Sequence, residues 1–196
     1  MEETLYAIEI AGHCNELTAW RILKEMSGAL LSDSTAKVSP VHIEIKDDGG
    51  FALSHQTSMV MEGFEAPEAL KGKRTEASVV WSLAASLFYL VMGCQVMNGK
   101  GGAAQQESSR LPYMRSTLPQ LSELVQRCLN YHPEQRPTLQ EINELATQQF
   151  DLCSESIKKG PVFQEKRLDT TNQDGQSISI SKFWPESMRP ENLITD

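Results

Sequence analysis

Val79 to Met92, V-V-W-S-L-A-A-S-L-F-Y-L-V-M, is the stretch that decides the fold of this chain. Its residues are apolar around the whole helical circumference, and a helix without a polar face must be buried on every side. We therefore predict a fully buried helix from Glu76 to Met92, with Gly93 as its C-terminal stop. Ser82 and Ser86 fit this prediction, because their hydroxyls can donate to the carbonyl one turn earlier. A domain built around such a helix is mainly α.

The segment just upstream, Glu62 to Leu70, reads E-G-F-E-A-P-E-A-L and has no helical or strand period. Pro67 bars its neighbour Glu68 from the middle of a helix. A carboxylate held on a stiff turn between apolar residues usually has a partner. The local pattern leaves open whether that pair would take part in chemistry or hold the fold together.

Further upstream the period changes from that of a helix to that of a strand. Apolar and polar residues alternate over 41–53, and the Asp48-Gly49-Gly50 turn in the middle predicts a small β-hairpin. Before it, apolar residues at three- and four-residue steps predict a helix from Glu16 to Leu31, with Asn15 as its N-cap. A short helix is also predicted over Leu5 to Ile10.

After the central helix, the sequence predicts a polar loop and then two further helices. Asn98 to Arg110 is rich in glycine and polar residues, which predicts a mobile loop. Pro119 to Tyr131 has one apolar face and predicts a helix. Thr138 to Glu141, T-L-Q-E, has the residue types of a capping box and predicts the start of a last helix.

The helical pattern weakens from about Ser154. We therefore predict one domain over residues 1–153 and a C-terminal extension over residues 154–196 that packs on the domain or is partly disordered. Within the extension, S-I-S-I-S at Ser177 to Ser181 is a candidate strand, and F-W-P at Phe183 to Pro185 is an apolar hook.

The bulk composition excludes several classes of partner. The 196 residues carry a formal net charge of −8, and the isoelectric point is about 5.1. This charge argues against nucleic acid and anionic membrane as main partners, because both repel an acidic surface. An acidic surface favours basic segments of other proteins instead.

Cysteine usage and the absence of targeting signals predict a cytoplasmic protein. The four cysteines are widely spaced and form neither a C-x-x-C pair nor a metal-ligand cluster: Cys14, Cys94, Cys128 and Cys153. The apolar neighbours of Cys94 and Cys128 predict buried free thiols, which fits a reducing compartment. No secretory signal is visible at the start, and the longest apolar run is shorter than the roughly 20 residues of a membrane span.

Taken in order, these elements resemble the C-terminal lobe of eukaryotic-type protein kinases. The resemblance spans roughly Leu17 to Ala146 and rests on four stretches in the order of that family. They are D-D-G-G-F-A-L-S, F-E-A-P-E-A-L, V-V-W-S-L-A-A-S-L-F-Y-L-V-M-G and R-C-L-N-Y-H-P-E-Q-R-P-T-L-Q-E-I. It implies a helical bundle around one buried central helix with a small β-hairpin. It also implies that Glu68 pairs with Arg136, as an architectural ion pair that ties the activation segment to the lobe.

The residues that phosphoryl transfer needs are missing from the corresponding positions. The H-R-D motif is absent, the magnesium-binding asparagine aligns with His42, and the D-F-G position reads H-Q-T from His55. The aspartate that opens the central helix in kinases is Val79. A histidine on a strand, even with Glu44 nearby, is far more often satisfied or exposed than a catalytic base. We therefore expect no catalytic site, no metal, no cofactor and no nucleotide.

A kinase C-lobe without a small lobe or catalytic loop resembles the KIND domain, a non-catalytic module of Spire actin nucleators and certain FERM-containing phosphatases. That resemblance implies a protein-interaction module, and in Spire the partner presents a basic segment. The candidate surface lies where a small lobe would dock: His42, Glu44, His55, Glu62 and Glu65. Phe183 and Trp184 either cover this surface or anchor the C-terminus. The alternative function is a regulatory or split-lobe partner of an active kinase in trans.

Overall fold

Four α-helices and three short strands make up the part of the chain that the computed structural model describes, residues 5–34, 36–54, 61–114 and 118–159. The elements in chain order are β1 (Leu5–Tyr6), α1 (Glu16–Ser32), β2 (Ile43–Ile45), β3 (Phe51–Leu53), α2 (Glu76–Met92), α3 (Pro119–Cys128) and α4 (Leu139–Lys159). Short 3-10 turns connect several of them. The predicted fold class, a mainly helical kinase C-lobe-like bundle, is confirmed.

Helix α2 is the centre of the hydrophobic core. Trp81 and Leu87 are completely buried, and so are most other residues of the helix, which packs against α1 and α3. Each large apolar side chain buried in this way contributes about 1.5–3 kcal/mol. Ser86 donates its hydroxyl to the Ser82 carbonyl at 2.7 Å, and Ser82 donates to the Ser78 carbonyl at 3.1 Å. The predicted burial of both serines with internal hydrogen bonds is therefore confirmed.

The ends of α2 follow from local chemistry. At the N-terminus the backbone N–H of Thr75 donates to the Ser78 hydroxyl at 2.9 Å, as part of a capping box. At the C-terminus Gly93 adopts the left-handed conformation, with φ of 72°, and its N–H donates to the Tyr89 carbonyl. The predicted stop at Gly93 is confirmed.

The three strands form one antiparallel sheet in the order β1-β2-β3. The predicted hairpin is confirmed as β2 and β3, whose turn is tightened by a 2.8 Å hydrogen bond from the Gly50 N–H to the Asp48 carboxylate. The helix predicted over Leu5 to Ile10 is wrong in its first part, because Leu5 pairs with Ile45 as strand β1 and only Ala7–Ile10 form a 3-10 helix. That pairing is a long-range contact, which local sequence patterns do not encode.

The outer helices have the predicted starts. The Asn15 side chain accepts a hydrogen bond from the Thr18 N–H at 2.9 Å and caps α1. The Thr138 N–H donates to the Glu141 carboxylate at 2.7 Å, and the Glu141 N–H donates back to the Thr138 hydroxyl at 3.2 Å, so the capping box of α4 is confirmed. The backbone N–H of Thr138, followed by its hydroxyl, donates to the Glu141 carboxylate, and these two hydrogen bonds hold the pKa of that carboxyl below its usual range.

Residues 160–196 lie outside the described residues, as do the predicted strand at 177–181 and the hook at Phe183 to Pro185. Helix α4 continues to Lys159, and a first compact unit extends to Lys158. The predicted boundary between residues 153 and 154 stays a prediction. Helix α2 has 17 residues, and no helix in the described ranges is long and apolar enough to cross a bilayer.

The glycine-rich stretch after α2, residues 98–110, is mostly exposed but has three buried residues. Its predicted mobility stays a prediction. Gly101, Gly102 and Gln105 are buried. The Gln105 side chain accepts a hydrogen bond from the Trp81 indole at 2.8 Å and donates to the Leu129 carbonyl at 2.6 Å. The loop is therefore anchored in the core by one amide that joins α2 to the end of α3. Composition does not predict this anchoring, because it depends on the two hydrogen bonds of a single residue, Gln105.

The four cysteines are free, and their exposure differs. Cys14 and Cys128 are buried, and burial raises the pKa of each thiol to about 12. Cys94 is exposed, so the prediction that it is buried is wrong. It follows Gly93, where the chain leaves the buried helix and the side chain faces outward. Cys153 is half-buried, and burial followed by the charge of Glu16 raises its pKa.

We expect thiol labelling of the native protein to modify Cys94 first, because only an accessible thiolate reacts quickly. With a disulfide reagent at pH 8, Cys94 should account for the fast phase and Cys153 for a slower one. Cys14 and Cys128 should react only after denaturation. Peptide mass mapping at successive times measures this order, and Cys94→Ser should abolish the fast phase. Early labelling of Cys14 or Cys128 would contradict the packing described above.

Candidate functional site

The structure brings Glu68 and Arg136 together in a buried bidentate ion pair. Arg136 Nη1 lies 2.5 Å from Glu68 Oε1, and Nη2 lies 3.0 Å from Oε2. The Arg136 side chain is 0% exposed and that of Glu68 is 14% exposed. This planar, two-point contact is the geometry that an arginine fork offers to a carboxylate.

The other N–H groups of the Arg136 guanidinium donate to three carbonyls on two backbone segments. Nε donates to the Asn130 carbonyl at 2.7 Å, Nη1 to the Ala77 carbonyl at 2.8 Å, and Nη2 to the Tyr131 carbonyl at 3.2 Å. The guanidinium thus joins the turn after α3 and the start of α2 to the Glu68 segment. Since it is enclosed and fully bonded, it supports the architecture and has no room to contact a ligand.

The segment 61–66, just before this ion pair, alternates between buried and exposed side chains. Phe64 is 2% exposed, and its ring packs edge-on against that of Tyr89 with centroids 5.7 Å apart. Glu62 and Glu65 point outward and are exposed. The packing of Phe64 and the nearby ion pair therefore fix the backbone that carries the Glu62 and Glu65 carboxylates.

One side of this segment borders a cavity of about 180 Å³, which we call the hairpin cavity. It is lined by Lys37, Val38, Ser39, His42, Met61, Glu62, Phe64, Glu65, Arg74 and Ser82. The Ser39 hydroxyl and His42 Nδ1 form a 2.7 Å hydrogen bond. Arg74 Nη2 lies 3.9 Å from Glu65 Oε1, and both side chains are partly exposed. Charges of both signs therefore meet in this cavity.

The other side borders a larger cavity of about 420 Å³, which we call the glycine cavity. It is lined by Glu62, Gly63, Glu65, Leu70, Gly99, Lys100 and Ala103. The Gln95 side-chain amide donates to the Glu62 carbonyl at 3.0 Å, which fixes the loop after α2 against the segment 61–66. Glu62 and Glu65 belong to both cavities, so the two cavities adjoin along these carboxylates.

Three of the predicted surface residues, His42, Glu62 and Glu65, line one cavity. Glu44 lies on β2 opposite Ala52, is half-buried and lines none of the cavities described here. His55 lies outside the described residues. Sequence patterns did not indicate Leu70 or Lys100 as site residues. The exposure of Leu70 beside the acidic segment is seen only in the structure.

The described positions that correspond to kinase catalytic residues have other contacts here. His42 is bonded to Ser39 in the turn before β2, and Val79 is buried in the core at 2% exposure. Within the described ranges, no group of three or more histidine, cysteine, aspartate or glutamate side chains is placed to hold a metal ion.

The buried central helix, the hairpin and the Glu68–Arg136 pair together define a helical lobe of the protein-kinase type. The family model described as protein tyrosine and serine/threonine kinase matches residues 31–145, which is more than half of the chain. The chain therefore belongs to this kinase family.

Proposed function

We propose that this chain is a catalytically inactive kinase lobe, of the KIND type, that acts as a protein-interaction module. The observation that carries the proposal is the pair of adjoining cavities that share Glu62 and Glu65. Exposed carboxylates on a support held by a buried ion pair offer a preformed site to a partner, so little ordering would be needed on binding. The partner is a protein, and the free cysteines fit a cytoplasmic setting.

Two observations support the inactive state. His42 and Val79 stand where the kinase resemblance expects a magnesium-binding asparagine and an aspartate. The imidazole of His42 offers no oxygen ligand to magnesium, and phosphoryl transfer depends on such ligands.

The catalytic half of the proposal is tested by thermal melting of the full chain with and without ATP and magnesium. A ligand at a hundred times its dissociation constant would stabilise the protein by about 2.7 kcal/mol, which a melting curve detects easily. We expect no shift. A shift that is accompanied by phosphate transfer to a test substrate would overturn the inactive state.

The binding half is tested with peptides selected by the full chain from a displayed library of protein fragments. We expect Glu62→Lys to weaken the binding of the selected peptides at least about tenfold, which corresponds to about 1.4 kcal/mol. Glu123→Lys, an equal charge change on the exposed face of α3, should leave the affinity unchanged. Equal loss in both variants would mean that only net charge matters. Selection of a kinase domain whose activity then changes would favour the regulatory alternative.

A further inference from the structure

The loop after α2 contains an exposed asparagine–glycine pair. Asn98 and Gly99 form the one Asn-Gly step in the sequence, and both residues are exposed. Met97, Asn98 and Gly99 all have a left-handed backbone, with φ of 52°, 54° and 83°. Asparagine and glycine adopt this conformation more readily than other residues. The turn therefore holds the Asn98 side chain in water, outside any α-helix.

The Asn98 side-chain amide has no hydrogen bond within the described ranges. The other described asparagines are held by their neighbours. The Asn143 amide donates two hydrogen bonds to α1, at 2.8 Å and 3.0 Å. The side chains of Asn15 and Asn130 also form hydrogen bonds. Asn98 is thus the asparagine in the described part of the chain whose amide carbon is free to meet the backbone.

The backbone nitrogen of Gly99 follows that amide and is weakly protected. Its N–H donates to the Val96 carbonyl at 3.2 Å, at the long end of the range for such bonds. Gly99 has no Cβ, and the atom nearest to the place of one is Gln95 Oε1 at 3.6 Å. A side chain on the residue after asparagine would obstruct the nitrogen, so glycine leaves the approach open. A nucleophile and the carbon that it attacks therefore lie on neighbouring, unshielded groups.

We propose that Asn98 is a self-modification site, at which the side-chain amide is converted to a carboxylate without an enzyme. The Gly99 nitrogen bonds to the side-chain carbonyl carbon of Asn98. Solvent base takes the proton of that nitrogen, and solvent returns it to the departing ammonia, which leaves a cyclic succinimide. Water then opens the ring at either carbonyl. The products are aspartate and isoaspartate, in which the backbone passes through the former side chain, and each conversion consumes one water and releases one ammonia.

The modification changes the loop where it touches the segment 61–66. A methyl group on Gly101 would overlap the Gly63 carbonyl group, so the two backbones pass very close to each other. Isoaspartate lengthens the main chain by one atom shortly before Gly101, and the contact cannot keep its present register. Aspartate leaves the main chain as it is and adds a negative charge beside the exposed Lys100. The two products therefore affect the glycine cavity differently, and this inference does not depend on the proposed interaction function.

The test is ageing of the full chain in buffer at pH 8, followed by peptide mass mapping. We expect the amide-to-carboxylate mass change at Asn98 at least about tenfold sooner than at Asn143, which is bonded and has no glycine after it. Isoaspartate is counted separately with an isoaspartate-specific methyltransferase. The ¹⁵N-labelled aged chain should show a second set of amide signals for Gly63 and Gly101, in proportion to its isoaspartate content.

Two variants separate the products. Asn98→Gln keeps an amide but would have to close a larger ring, so it should show neither the mass change nor second signals. Freshly prepared Asn98→Asp adds only the charge, so it should shift the Lys100 amide and leave that of Gly63 in place.

Equal rates at Asn98 and Asn143 would overturn the proposal. Modification of the chain in urea but not of the folded chain would also overturn it, since the turn would then protect Asn98. Second signals in aged Asn98→Gln, or signals that do not follow the isoaspartate content, would contradict the effect on the glycine cavity.

Discussion

Replacement of Glu68 by alanine should destabilise the protein by about 3–5 kcal/mol, because it leaves the enclosed Arg136 charge without its partner. For a chain of this size that loss corresponds to a decrease in melting temperature of about 10 °C. Urea unfolding followed by circular dichroism at 222 nm measures the change in free energy of unfolding. The helical content of the folded state should stay the same.

Two further variants make this result interpretable. Glu134→Ala removes a carboxylate that is 71% exposed and lies 3.6 Å from His132 Nδ1, so it should cost less than about 1 kcal/mol. Glu68→Gln keeps the shape and part of the hydrogen bonding, so it should fall between the two and remains measurable if Glu68→Ala does not fold. A loss below 1 kcal/mol for Glu68→Ala would show that the ion pair does not hold the segment in place.

Gly101→Ala should destabilise the protein by about 2–5 kcal/mol, since two effects add. Gly101 has φ of 53°, a left-handed conformation that costs other residues about 1–2 kcal/mol. In addition, its new methyl group would overlap the Gly63 carbonyl group, and overpacking against backbone costs about 1–3 kcal/mol more. Chemical denaturation compared with the unmodified chain measures the total.

The matched control is Gly72→Ala. Gly72 has φ of 82°, and a methyl group there would meet nothing within 4 Å, so only the conformational cost of about 1–2 kcal/mol should remain. The difference between the two variants isolates the contact between the loop after α2 and the segment 61–66. Equal losses would mean that these two backbones do not touch in solution. A shift of the Gly63 amide in Gly101→Ala alone would locate the disturbance at the glycine cavity.

The elements that sequence patterns predicted well are those whose cause is local. The bounds of α2 follow from its all-round hydrophobicity and from Gly93, and the start of α4 follows from the Thr138–Glu141 capping box. Strand β1 and the anchoring of Gln105 depend on partners about 40 and 24 residues away along the chain. Periodicity within a window of about 11–18 residues has no access to such partners.

The same division holds for the candidate site. Pro67 beside Glu68 indicated a carboxylate on a stiff turn, and the kinase resemblance indicated Glu62 and Glu65 as residues near the docking face of a small lobe. The glycine cavity was not predictable, because its far wall comes from residues 99–103 in another loop. Leu70 and Lys100 therefore entered the site only through the structure.

The sequence by itself determined a mainly helical kinase-type lobe with one buried axis, because apolar periodicity, caps and glycine stops act over a few residues. The tertiary structure decided which loops meet. The close approach of Gly101 to Gly63 and the Gln105 bridge to Leu129 bring the loop after α2 against the acidic segment. A binding surface is a product of such long-range contacts, since the side chains that form it come from separate parts of the chain.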